Sequence, residues 1–207
     1  MNPKCVFCLT TDTSLFNTKE HIIPESLGGG DWAILPDGLL CDSCQNKFGS
    51  SIEQQALATY PLSMFRTFFS IPTKKRKAPW FEFWEGKLEA GGIFGLLAYH
   101  PHKHLEDATL LGKKHQMRIP AVVTKPDMLL RTLLKIGLEL IAADDPIKVF
   151  ETRFDVTRKY ALTGQKNFSW SFIQIEDVDE LNQYLKGMTQ NDFDKNFYAD
   201  INEFENG

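Results

Sequence analysis

The sequence predicts an α+β fold in two parts, a small finger over residues 1–58 and a companion domain over residues 59–207. Three observations lead there. All four cysteines fall within the first 44 residues, as two Cys-x-x-Cys pairs. The composition changes after Tyr60 and Pro61. Beyond that point, stretches with helical spacing interchange with stretches that alternate. With 43% hydrophobic residues and 16 phenylalanines, the chain has ample apolar surface for a packed core.

In the finger, 32 residues separate the pair Cys5 and Cys8 from the pair Cys41 and Cys44. Each Cys-x-x-Cys turn presents two thiolates to one ion, and two turns complete a closed tetrahedral site. The four cysteines therefore predict structural zinc. A redox role would need only one pair. Disulfides are disfavoured in the cytoplasm, the expected compartment for a chain that opens "MNPKCVFC" without an apolar signal core. A segment of about 50 residues buries too little surface to hold itself together, and zinc binding supplies the missing folding free energy.

Between the pairs lies "EHIIPESLGGG", Glu20 to Gly30. Its glycines allow the chain to reverse, and Gly38 to Leu40 is expected to return as the second strand of a hairpin. "CDSCQNKFGSSIEQQALATY" then predicts a helix. Asp42 or Ser43 would cap it, and Phe48, Ile52 and Leu57 recur near helical spacing, with Gly49 a local weak point.

In the companion domain, "IPTKKRKAPW" sets Lys74, Lys75, Arg76 and Lys77 between Pro72 and Pro79, which predicts an extended basic loop able to contact a phosphate backbone. "WFEFWEGKLEA" predicts a strand or hairpin, with Trp80, Phe81, Phe83 and Trp84 mainly serving the core. "YHPHKH" spaces His100, His102 and His104 two apart, which suits a metal on an extended segment, but Pro101 and the polar surroundings favour a plain exposed loop. "RIPAVV" reads as a short strand.

"KPDMLLRTLLKIGLELIAADD" reads as a strong helix with Pro126 in its first turn. It is apolar at Met128, Leu129, Leu133, Ile136 and Leu140, and carries an i, i+4 ridge of Arg131, Lys135 and Glu139. "PIKVFETRFDVTRKYALTG" suggests a further helix ended by Gly164. "FSWSFIQI" alternates like a strand, and "EDVDELNQYLKGM" predicts a short capped helix. No run of about 18 apolar residues exists, so no membrane span is expected.

The net charge of −4 conceals an uneven distribution. Residues 51–125 carry 11 basic and 6 acidic side chains, whereas residues 126–207 carry 9 and 15. A basic middle in an acidic chain leaves room for a phosphate-bearing ligand.

"CVFC", "EHIIPESLGGG", "LPDGLLCDSC" and "QNKFG", in that order, resemble the HNH endonuclease family, whose core is the ββα-metal finger. The resemblance covers about 55 residues, and the two cysteine pairs bracketing an acid-His dipeptide make it specific. It implies a nuclease acting on nucleic acid, with DNA the expected form. His21 would be the general base that activates water. Glu20 stands where the family often has an aspartate that binds a catalytic divalent ion, Mg²⁺ or Mn²⁺. The family's next ligand, an Asn or His, directly follows the fourth cysteine. Here Gln45 holds that place and Asn46 comes next, so either is a candidate. The middle Asn of the family pattern would fall near Pro36 and Asp37, and its role is unassigned. The helix around Lys135 is similar to the basic helix that follows the finger in longer relatives, which implies a phosphate contact for Lys135.

The residues suit this chemistry on their own terms. Imidazole accepts a proton near neutral pH. A hard cation takes oxygen ligands, which one carboxylate and one amide supply, whereas thiolates take zinc. Glu53 lies seven residues after Asn46 and is a further candidate for support. The competing expectation is a zinc-ribbon module that binds nucleic acid without cutting it, the catalytic ion lost through Gln45.

Overall fold

The computed structural model describes residues 2–73, 75–102 and 123–165. The chain divides into two units, Met1–Gly164 and Gln165–Gly207. The first is α+β, with helices and one small three-stranded sheet. Lys74, His104, all but the last residue of "RIPAVV", and the stretches "FSWSFIQI" and "EDVDELNQYLKGM" lie outside the described residues.

The expected hairpin is reduced to a single antiparallel bridge, His21 to Ile34. Ile22 N–H donates to Ala33 at 2.7 Å and Leu35 N–H to Glu20 at 2.9 Å. Short 3₁₀ turns, Glu25–Leu27 and Asp31–Ala33, fill the space between. The glycines explain why no long strand forms. A Cβ on Gly29 would stand 1.7 Å from the Ile23 carbonyl oxygen, and Gly28 has φ +90°. The chain folds onto itself at this point in a way only glycine permits. Gly38 and Leu39 do not return as the hairpin's second strand. Their carbonyls accept from Lys4 and Val6, both at 2.8 Å, and so they back the first cysteine turn.

One helical run follows: α1 (Asp42–Lys47), a π turn (Phe48–Glu53) and α2 (Gln54–Leu57). Cys41 takes the N-cap position without a side-chain cap, and Asp42 is the first helical residue. Phe48 and Ile52 are buried, with the Phe48 ring 4.6 Å from that of Phe7. Helix α3 (Leu62–Phe68) leads to strands β1 (Trp80–Phe83), β2 (Gly86–Ala90) and β3 (Leu97–Pro101), antiparallel in the order β1-β2-β3. Phe81, Phe83 and Leu88 face inward, whereas Trp80 and Trp84 are exposed. The aromatic stretch thus serves the core with every second ring, as strand periodicity requires.

Helix α4 (Pro126–Asp144) matches its expected span. Its inward face does not. Arg131, Lys135 and Glu139 are buried, while Leu133 and Leu140 are exposed. The charged ridge turns inward because each member finds partners there. Arg131 donates to the carbonyls of Ala161 and Leu162, both at 2.9 Å, at the end of α5 (Asp155–Thr163). Helix α5 is shorter than its stretch suggested, because Glu151 is extended between two 3₁₀ turns. It ends at Gly164, φ 68°.

One apolar cluster joins these parts. Val6, Phe7, Ile22, Leu35, Phe48 and Ile52 pack in the same cluster as Leu138, Ala142, Val149 and Ala161. Helices α4 and α5 therefore close the core of the finger, which is too small to close its own. Among the described residues, no helix is long and apolar enough to cross a membrane.

Candidate active site and metal centre

The four cysteines converge. Their sulfurs all lie within 4.8 Å of one another, with Cys8 and Cys41 at 3.6 Å. Four sulfurs around one zinc ion stand about 3.8 Å apart, given Zn–S near 2.3 Å. The set therefore fits a metal such as zinc. Cys5, Cys41 and Cys44 are buried, and Cys8 is exposed. Their protonation fits the same picture. The Cys5 thiol is pulled down to about 5, chiefly by a hydrogen bond from Cys44. Giving that bond raises Cys44, and burial pushes Cys41 up to about 11. Four crowded thiols cannot all ionise without a cation among them.

The segment before Glu20 is fastened to α1 by side chains one helical turn apart. Asp42 accepts from the backbone N–H groups of Asn17 and Thr18 at 3.0 and 3.1 Å, and from the Asn17 amide at 2.9 Å. Gln45 accepts from the Thr18 hydroxyl and donates to the Lys19 carbonyl at 2.7 Å. Both ends of the Gln45 amide are thus engaged. Asn46, next along the helix, is exposed, and its side chain has no hydrogen bond among the described residues.

Beyond this clamp opens a cleft of about 750 Å³. Glu20, His21, Glu25, Gln45, Asn46, Glu53 and Arg66 are among its lining residues. His21 Nε2 stands 3.8 Å from Glu25 Oε1, too long for a hydrogen bond. Glu25 opens the 3₁₀ turn Glu25–Leu27, four residues after the imidazole it faces.

Beneath the cleft the Lys135 ammonium, 0% exposed, contacts Glu20 Oε1, Glu53 Oε1 at 2.8 Å and Glu139 Oε2 at 3.1 Å. It also approaches the His21 carbonyl at 3.3 Å. Burial pulls the Lys135 pKa down, but the carboxylates of Glu139, Glu53 and Glu20 outweigh it and hold the ammonium above its ordinary range. Burial, with Glu20 and Glu53 adding to it, pushes Glu139 well above the carboxylate range despite Lys135. One ammonium does not balance three carboxylates, and burial favours the protonated form of Glu139. The sequence suggested a nucleic-acid phosphate as the partner of Lys135; in the fold this ammonium is committed to carboxylates.

The other expected contacts lie apart. Lys75, Arg76 and Lys77 are exposed on a closed turn, not an extended loop: Arg76 N–H donates to Thr73 at 2.7 Å and Lys77 N–H to the Thr73 hydroxyl at 3.1 Å. They do not line the cleft. His100 belongs to β3, where its Nε2 is 3.3 Å from Glu89, and His102 Nε2 is 3.2 Å from the Phe83 carbonyl. Among the described residues, the cysteines are the one group of three or more His, Cys, Asp or Glu side chains whose ligand atoms converge.

The sequence alone did not single out Glu25, Glu139 as a buried partner, or Arg66. The signal for Arg66 was present, a lone cation within the aromatic stretch "LSMFRTFF".

Residues 5–61 match the family model described as HNH endonuclease. This segment, which contains the four cysteines, is a domain of that family. No curated protein and no solved structure matches the chain.

Proposed function

We propose that the chain is a metal-dependent endonuclease that hydrolyses phosphodiester bonds in nucleic acid, with DNA the expected substrate. The observation that carries this reading is the gathering of Glu20, His21, Asn46 and Glu53 in one cleft, within the family segment that also holds the cysteine cluster. In this reading His21 accepts a proton from the attacking water, and Glu25 steadies the imidazolium that results. A divalent ion such as Mg²⁺ or Mn²⁺, when bound, would neutralise charge on the phosphate and the leaving oxygen. Glu20 and Asn46 are the residues proposed to hold it. One carboxylate oxygen of Glu20 faces Lys135, which fixes its orientation and leaves the second oxygen for the ion. Gln45 acts as a clamp on the preceding segment, and Asn46 offers the free amide.

Plasmid nicking tests the proposal. Cleavage is expected with Mg²⁺ or Mn²⁺ and not in EDTA. His21→Ala is expected to lower the rate about 10²–10⁴-fold while nucleic-acid binding persists. Glu20→Ala weakens the hold on the ion, so excess Mn²⁺ recovers some activity, whereas His21→Ala is not rescued. Full-rate cleavage by His21→Ala would remove the base from the mechanism. A chain that binds nucleic acid and never cuts it would be a binding module instead.

A further inference from the structure

A guanidinium in the cleft has no part in this scheme. Arg66, on α3, lines the cleft from outside the matched segment. It is half-buried, and its Nε is shut off from solvent. It makes no hydrogen bond or ion pair through its guanidinium among the described residues. The other buried arginines differ. Arg131 holds the carbonyls of Ala161 and Leu162, and Arg158 holds Asp155 and the Val149 carbonyl. A partly desolvated cation without a partner is unfavourable in the free protein, and burial holds its pKa below the ordinary arginine value. An anion entering the cleft would remove that penalty.

The charge of the lining identifies the anion. Glu20, Glu25 and Glu53 would repel a polyanion; against them the described lining sets the Lys19 ammonium and one guanidinium, that of Arg66. A guanidinium fork matches two oxygens of a phosphate. We propose that Arg66 is a phosphate-binding residue of this cleft, its guanidinium gripping the non-bridging oxygens of one nucleic-acid phosphate. The identity of the ligand rests on the nuclease reading; the unpartnered cation does not.

The test is binding without cleavage, by fluorescence anisotropy of a labelled DNA duplex with no divalent ion added. It uses the full chain and its Arg66→Met and Arg66→Lys variants. Methionine keeps the packing of the stem. Arg66→Met is expected to weaken binding about tenfold or more, as expected for removing a charge-assisted hydrogen bond. It should also reduce the slope of log affinity against log salt by about 0.9, one phosphate. Arg66→Lys should keep the slope but recover only part of the affinity. The melting temperature of Arg66→Met without nucleic acid should equal or exceed that of the parent, since an unpartnered cation has been removed. A lower melting temperature with unchanged salt slope would make Arg66 structural and overturn the proposal. So would wild-type affinity in Arg66→Met. Absence of binding by every form, parent included, would overturn the nuclease reading and this one with it.

Discussion

Two buried polar assemblies tie distant parts of this chain together, and they balance charge in opposite ways. The cysteine cluster joins residues 5–8 to the start of α1 with four thiols and no cation of the chain's own. The Lys135 cluster joins α4 to Glu20 and Glu53 with an ammonium the chain supplies. The first fits a metal such as zinc, and with that ion bound its stability would belong to metal binding. The second is closed by protein alone. In the proposed reading, a cation in the cleft would take the second carboxylate oxygen of Glu20 and the amide of Asn46.

The contrast breaks most visibly at the cysteines. Cys44→Ser should lose the metal and unfold the finger, since apparent zinc-binding free energies of about 10–16 kcal/mol act as folding free energy. Elemental analysis paired with circular dichroism reads this out, and a folded, zinc-free preparation would contradict it. Lys135→Met should be next. It leaves the largely buried Glu20 and Glu53 carboxylates without their ammonium, at a cost of up to about 3–5 kcal/mol in urea unfolding. An unchanged midpoint would mean that the ammonium is not what holds the carboxylates.

A subtler change sharpens the comparison. The folded state holds the Glu139 carboxyl well above its ordinary range, so it binds this proton more tightly than the unfolded chain does. That contribution is complete below the unfolded carboxylate range, about pH 4.3. It is lost progressively as pH rises toward the folded value. Glu139→Gln mimics the protonated form permanently. It should match the parent near pH 4 and gain at pH 8, by about 2–4 °C in melting temperature per kcal/mol. A gain independent of pH would show that Glu139 does not keep its proton.

The smallest effect is expected at the basic turn. Replacing Lys74, Lys75, Arg76 and Lys77 with Gln should leave stability unchanged and reduce the salt slope of DNA binding by at most about 0.9 for each phosphate these side chains neutralise. An unaltered slope would show that the turn faces away from the ligand.

What could be read in the sequence was local. The cysteine spacing, the acid-His dipeptide and the glycines behind it each act within a few residues, so their geometry is written in the order of the letters. The span of α4 was legible for the same reason. Its orientation was not, because Lys135 is drawn inward by Glu20 and Glu53, which lie far away in the chain, and Glu139 accompanies it as its i, i+4 partner. An i, i+4 charged ridge is ordinarily a solvated face, and nothing nearby in sequence marks it as a buried one. The engagement of Gln45 was hidden for the same reason. It depends on the Lys19 carbonyl and the Thr18 hydroxyl, which occupy the Gln45 amide.

The link from Lys135 to Glu20 spans 115 positions. Such a link bears on how this unit can be inherited or borrowed. A cassette cut at residues 5–61 and grafted onto a foreign scaffold would carry the acid-His dipeptide and all four thiols. It would leave behind the ammonium that steadies the dipeptide and the aliphatic surface of α4 that covers Phe48 and Ile52. The new host would have to provide a lysine at the equivalent depth, or the grafted carboxylates would face each other unshielded. Shuffling that preserves this site is thus constrained to move α4 together with the finger.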